Sequence, residues 1–201
     1  MQEWATRSAE QASEFLQQLF AYAPADLWAL LWTLPDKRSL WFLVGNYSDM
    51  AEAAIALAAD HDVYIGVSLF ARDLGPHSRG KLDDAAGIVG LWADIDVASP
   101  AHKKPNLPPD MEAAGFLLQA VGPKPTMLVH TGHGLHAWWL FREPWIFDSD
   151  AERKRAASFS RRWQQTLRTL ARHHGWDLDA THDLTRVLRI PGTFNHKRLT
   201  R

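Results

Sequence analysis

The chain of 201 residues has no cysteine, which excludes disulfides and any thiolate zinc site. It has no surplus of one charge either. Its 22 Lys and Arg stand against 23 Asp and Glu, a formal net charge of -1, so nucleic acid could be contacted only through a local basic patch. No apolar run approaches membrane-spanning length. The start, Met1-Gln2-Glu3-Trp4, has no basic segment leading into an apolar one, so no secretory signal is read. A cytoplasmic protein with no membrane partner is expected. Internal repeats and low-complexity segments are also lacking. Tryptophan is in excess, at ten residues. Large core aromatics explain most of them, and base stacking is open to one or two near the polar motifs. With 46% hydrophobic residues, the length suits one sizeable domain or two small lobes sharing a core.

The hydrophobic periodicity predicts helices over about 8–21, 49–59, 111–121 and 150–174. Ser8 with Gln11 reads as a capping box for the first, Ser149 or Asp150 caps the last, and Gly175 stops it. Strands are expected over 27–34, 39–44, 63–70, 88–95, 126–130, 135–141 and 186–190, with Pro35-Asp36-Lys37-Arg38 turning a hairpin. Residues 71–87 and 99–109 read as loops. Strands crossed by a few helices predict an α+β fold on a mainly antiparallel sheet.

Three polar clusters stand out. In Trp92-Ala93-Asp94-Ile95-Asp96, strand alternation puts Asp94 and Asp96 on one face with Trp92, while Ala93 and Ile95 pack inward. Two carboxylates that close repel unless a cation lies between them, and Mg²⁺ is often held by one or two carboxylates plus substrate phosphates. Taken alone, an Asp-x-Asp at a strand end is explained as well by turn or cap contacts. In His130-Thr131-Gly132-His133-Gly134-Leu135-His136, Gly132 and Gly134 allow close approach of a ligand to the backbone, whose N–H groups can form an anion nest. Thr131 and His136 can add a hydroxyl and a ring nitrogen. A plain hairpin turn and a zinc site from His130, His133 and His136 are the alternatives. A rolling-circle nuclease fits less well. Two residues separate His133 from His136, and the tyrosines, Tyr22, Tyr47 and Tyr64, all come early. In the third cluster Asp179 and Asp183 precede Arg186, Arg189, Asn195 and Lys197. On a strand Arg186 and Arg189 face opposite sides, so one of them reaches the site directly, where Arg suits phosphate.

The ordered triple resembles the archaeo-eukaryotic primase superfamily, especially the primase-polymerase domains of plasmid, phage and CRISPR-associated replication proteins. The resemblance rests on Asp94-Ile95-Asp96, on Thr131-Gly132-His133-Gly134-Leu135-His136, and on Asp179 ahead of the stretch from Arg186 through Arg189, Pro191-Gly192-Thr193 and Asn195 to Lys197. It covers about residues 88–197. Thr131 stands where the family usually has Ser, and keeps the hydroxyl. The resemblance implies an RRM-like catalytic core packed against helices, with an N-terminal α/β module. It divides a single catalytic domain, 1–201, into a module 1–87 and a motif-bearing core 88–201. The chain is expected to be the N-terminal part of a longer protein.

The implied activity is template-directed nucleotidyl transfer by a DNA-dependent primase-polymerase, including primer synthesis. Two ions, Mg²⁺ or Mn²⁺, would be held by Asp94, Asp96 and a third acid. Asp179 takes that place by the family pattern, with Asp183 as its substitute. Thr131, Gly132, Gly134, His136, Arg186, Arg189, Asn195 and Lys197 would bind the NTP or dNTP. Arg72, Arg79 and Lys81 are expected to contact the single-stranded DNA template, and a helicase domain or replicative helicase is the expected partner. The competing readings are an initiator that binds origin DNA without polymerising and a metal-dependent nuclease using the same carboxylates.

Overall fold

A computed structural model describes residues 2–100, 102 and 104–196. Lys197 therefore lies outside the described residues. Helix α1 (Gln2–Leu19) leads into strands β1 (Trp28–Leu34) and β2 (Ser39–Leu43), helix α2 (Tyr47–Leu57), strands β3 (Asp62–Gly66) and β4 (Ser68–Phe70), and β5 (Ala85–Asp96). Then follow α3 (Met111–Ala120), β6 (Met127–His130), β7 (Gly134–Ile146), α4 (Asp150–His173) and β8 (Val187–Arg189). The fold is α+β. Every strand pair is antiparallel, in one sheet ordered β6-β7-β5-β4-β1-β3-β8, with β2 on β1.

The helices form where the amphipathic spacing places them, with one difference at the start. Ser8 does not cap α1; it is buried inside it. Ala5 starts the core-facing stripe upstream of Ser8, and Ala9 and Ala12 continue it, so the helix begins earlier than its larger apolar residues indicate. At α4 the expected cap holds, and the Ser149 hydroxyl accepts from the Glu152 N–H. Asp110 caps α3 in the same way, through the Ala113 N–H.

Two cores flank the sheet. One packs α1 and α2 on Ala29, Leu31, Val63, Ile65, Trp92 and Trp138. The other packs α3 and α4 on Leu91, Ala93, Ile95, Ala137 and Trp139. Trp92 is fully buried, and its indole N–H donates to the Thr181 carbonyl at 2.7 Å. The alternation read from 92–96 is therefore observed.

The elements β5–α3–β6–β7–α4–β8 follow the βαββαβ order of an RRM-like core, but the last strand is displaced. Residues 63–70, expected as one strand, form β3 and β4 with a break at Val67, whose N–H donates to the Arg186 carbonyl. On the same edge, Gly66 pairs with Val187 of β8 and Ser68 with Ile88 of β5. The sheet thus forks after Ile88. β5 continues along β7, while β8 stays beside β3. The polar clusters converge at this fork.

Candidate active site

Asp94 and His136 face each other directly across the β5–β7 ladder, and His136 Nε2 lies 3.3 Å from Asp94 Oδ1. The other ring nitrogen, Nδ1, accepts from the main-chain N–H of Arg189 at 3.2 Å. Among the described residues β8 has β3 on one side only, so that outward N–H would lack a ladder partner, and the imidazole supplies the acceptor. With Nδ1 accepting, the ring proton sits on Nε2, aimed at Asp94. Burial works against the charge on Asp94, but His136, Arg186 and His102 outweigh it and hold the carboxyl below its ordinary value.

Asp96 lies two residues on, opposite Gly134. His102 Nε2 approaches its Oδ1 at 3.3 Å from the loop between β5 and α3, and the His102 side chain is only 6% exposed. Each acid of the pair thus has its own imidazole, and both carboxylates keep partial access to solvent. The Gly134 backbone runs against β5 so closely that a Cβ there would lie 2.2 Å from the Ile95 carbonyl oxygen. Glycine at 134 is required by strand pairing alone, whatever ligand approaches. Gly132, at φ +88°, makes the turn.

A cleft of about 540 Å³, lined by His130, Thr131, Gly132, Arg189, Phe194 and Asn195 among others, opens between the second cluster and the third. The Asn195 amide donates to the Thr131 carbonyl at 2.8 Å, tying the second cluster to the third. The Pro191-Gly192 turn rests on α1, where a Cβ at Gly192 would meet the Ser8 carbonyl oxygen at 2.6 Å. Arg186 pairs with Asp183 at 2.7 Å, and its charge helps to hold Asp94 ionised. Arg189 points elsewhere. Its guanidinium bonds Asp62 at 3.0 Å, the Phe194 carbonyl at 2.8 Å and the Tyr64 hydroxyl at 3.3 Å.

Asp179 is 65% exposed and pairs with Lys104 at 2.5 Å, as Asp177 does at 3.4 Å. Burial opposes the charge on Lys104, and these two acids more than restore it. No group of three acidic or histidine side chains able to hold a metal forms among the described residues. His130 Nδ1 faces the Gly132 N–H, the His133 ring meets His102 edge-on, and His136 faces Asp94. The donor chemistry of Asp94 and Asp96 still suits a divalent ion. They are hard oxygen ligands on one face, one held ionised, and accessible to substrate phosphates that would complete the shell.

Of the basic loop, Arg72, Arg79 and Lys81 are all exposed. The Arg79 guanidinium stacks over Trp32 at 5.0 Å, the Trp32 and Tyr64 rings are 5.8 Å apart, and Arg189 lies 5.0 Å over Tyr64. Burial pushes the Tyr64 hydroxyl up against the pull of Arg189, and the charges of Asp62 and Asp94 push the same way. The sequence reading missed His102, Asp62, Tyr64 and Lys104. The alternation in Asp62-Val63-Tyr64-Ile65 was the available signal for two of them, since it sets both polar residues on one strand face.

No protein-family model matches the chain. A replication protein of Clostridium perfringens is 24% identical over 142 residues, 71% of this chain and 31% of that protein. The chain thus spans under a third of that relative's length. Among solved structures, the archaeo-eukaryotic primase domain of the cyanophage S-2L primase-polymerase superposes with a TM-score of 0.54 at 16% identity, covering 94% of this chain and 84% of that one. No helix among the described residues is long and apolar enough to cross a membrane. With its antiparallel sheet, flanking helices and βαββαβ core, the chain has the archaeo-eukaryotic primase fold of the primase-polymerase type.

Proposed function

We propose that the chain is the catalytic domain of a DNA-dependent primase-polymerase, transferring nucleotides from NTPs or dNTPs to a 3′-hydroxyl on a single-stranded DNA template and making primers. The observation that carries this reading is the cross-strand Asp94–His136 pair, with Asp96 two residues on along β5 and His136 bonded to Arg189 of the Thr131–Asn195 cleft.

Asp94 and Asp96 would hold two divalent ions, Mg²⁺ or Mn²⁺. Bound ions would acidify the attacking hydroxyl and take up charge on the leaving pyrophosphate. His136 orients Asp94 through its Nε2 proton, and would give that proton to a phosphate oxygen once Asp94 turns to the ions. The backbone of Thr131 and Gly132 and the Asn195 amide border the cleft for the triphosphate. Arg186, electrostatically coupled to Asp94, supplies cationic charge to the phosphates. Gly134 contributes by letting β7 close on β5, and Lys197 adds a point charge. Asp179 or Asp183 would join the ions by leaving Lys104 or Arg186 respectively. The template would run along Arg72, Arg79 and Lys81 and over the Trp32–Tyr64 pair, since arginines interleaved with aromatic rings suit single strands.

The test is incubation with single-stranded template, labelled nucleotides and Mn²⁺. Extended strands support the reading, cleaved strands mark a nuclease, and unchanged strands that bind duplex origin DNA mark an initiator.

A further inference from the structure

We propose that Asp62 is a positioning residue for His136: its ion pair with Arg189 holds the strand end whose main-chain N–H fixes the proton on one nitrogen of the His136 ring. The proposal rests on the nucleotidyl-transfer reading only for its effect on activity.

The pair is buried, with the Asp62 and Arg189 side chains 16% and 8% exposed. A buried ion pair recovers its desolvation only when its remaining donors and acceptors are satisfied. Here they are. One Asp62 oxygen accepts from Arg189 Nη1 at 3.0 Å and from the His196 N–H at 2.8 Å. The guanidinium also donates to the Phe194 carbonyl and the Tyr64 hydroxyl. One carboxylate thus ties down residues 189 and 196, the two ends of the segment that crosses the cleft.

Two contacts to the site leave from that segment. The Arg189 N–H meets His136 Nδ1, and the Asn195 amide meets the Thr131 carbonyl. β8 has three residues and, among the described residues, no strand on its outer side, so its position depends on β3 and on the Asp62–Arg189 clamp. If β8 moved, Nδ1 would lose its donor and the ring could carry its proton there. Nε2 would then turn a lone pair toward Asp94 at 3.3 Å. In this arrangement Arg189 serves the site through its main chain, because Asp62 consumes its charge.

The test uses Asp62→Asn and Asp62→Glu in the full chain, with the wild type, each checked by thermal melting. Nitrogen-15 NMR of the histidine rings reads the His136 tautomer directly. The wild type should show the proton on Nε2. Asp62→Asn should show mixed tautomers and a loss of nucleotide transfer of about 10–100-fold, the range for losing outer partners that orient a metal site's ligands. Asp62→Glu, which keeps the charge, should fall between the two. A folded Asp62→Asn protein with unchanged His136 signals overturns the proposal. Should both variants unfold, the wild-type spectrum decides. A proton on Nδ1 overturns the assignment, and a proton on Nε2 with hydrogen-bond coupling from the Arg189 amide to Nδ1 upholds it. A wild type that transfers no nucleotide would sink the reading of the site and leave the tautomer test standing.

Discussion

Asp94 is the side chain on which the other polar groups converge. Its charge is opposed by burial and secured by His136, Arg186 and His102, so replacing it removes the centre of a small electrostatic network. Asp94→Ala and Asp96→Ala should each lower nucleotide transfer by at least about 100-fold, the scale of losing a charge-stabilising group at a reaction centre. Both carboxylates are partly exposed, so melting should shift little. A primer-extension assay beside a thermal melt checks both halves. His136→Ala removes a donor to charged oxygens, a contact on the order of 1.5–3 kcal/mol. Nucleotide affinity should drop about tenfold or more, measured by titration with a nucleotide triphosphate. Asp36 carries a separate expectation. The Thr33 hydroxyl bond lowers its carboxyl below 3.8 against the effect of burial, with further help from the Arg38 backbone and His61. A lowered folded value means that its stabilisation is present above 3.8 and lost as pH falls through the folded value. The carboxylate is 39% exposed, so the contribution is at most about 1 kcal/mol. Asp36→Asn should melt slightly below wild type at neutral pH and match it in acid, as followed by melts across a pH series.

At the level of elements, the site depends on β5 and β7 lying in close register. Gly134→Ala would drive a methyl group into the Ile95 carbonyl oxygen, and overpacking on this scale costs about 1–3 kcal/mol or more. Denaturant unfolding should show that loss, with reduced transfer even where the protein still folds, because Asp96 lies opposite this residue. How legible these elements are in the sequence follows from the physics of each. Period-two alternation alone places Asp94, Asp96 and Trp92 on one face, and the Gly/His segment reads correctly as the hairpin joining β6 to β7. The ends of β5 and β7 do not read so well. Both run past their apolar stretches, and β7 carries Pro144 where the ladder is already irregular. Arg186 and Arg189 are expected to diverge, and they do. What Arg189 pairs with is not readable, since Asp62 lies 127 residues away and no local pattern reports so distant a partner. His102 is hidden for a related reason, in a proline-rich loop without periodicity.

For the whole molecule, the sheet joins the residues before 88 to those after it. β4 pairs with β5, β3 with β8, and α1 packs against Trp138 through Phe15 and against the Pro191-Gly192 turn. Separating the two parts would expose both the first core and the sheet edges at the fork. Unfolding should therefore be one cooperative transition, with tryptophan fluorescence and far-ultraviolet dichroism superposing in denaturant. Two separate transitions would mean that the module 1–87 and the core 88–201 fold independently. Phe15→Ala, at the contact between α1 and Trp138, should cost about 3–5 kcal/mol and shift both probes together.

The most direct measurement is primer synthesis and extension on single-stranded DNA with Mn²⁺ and labelled nucleotides, comparing wild type with folded Asp94→Ala and Asp96→Ala. The account predicts strand growth by the wild type and none above background by either variant. Undiminished growth in either variant, or no growth by a folded wild type under Mg²⁺ and Mn²⁺ alike, would contradict it.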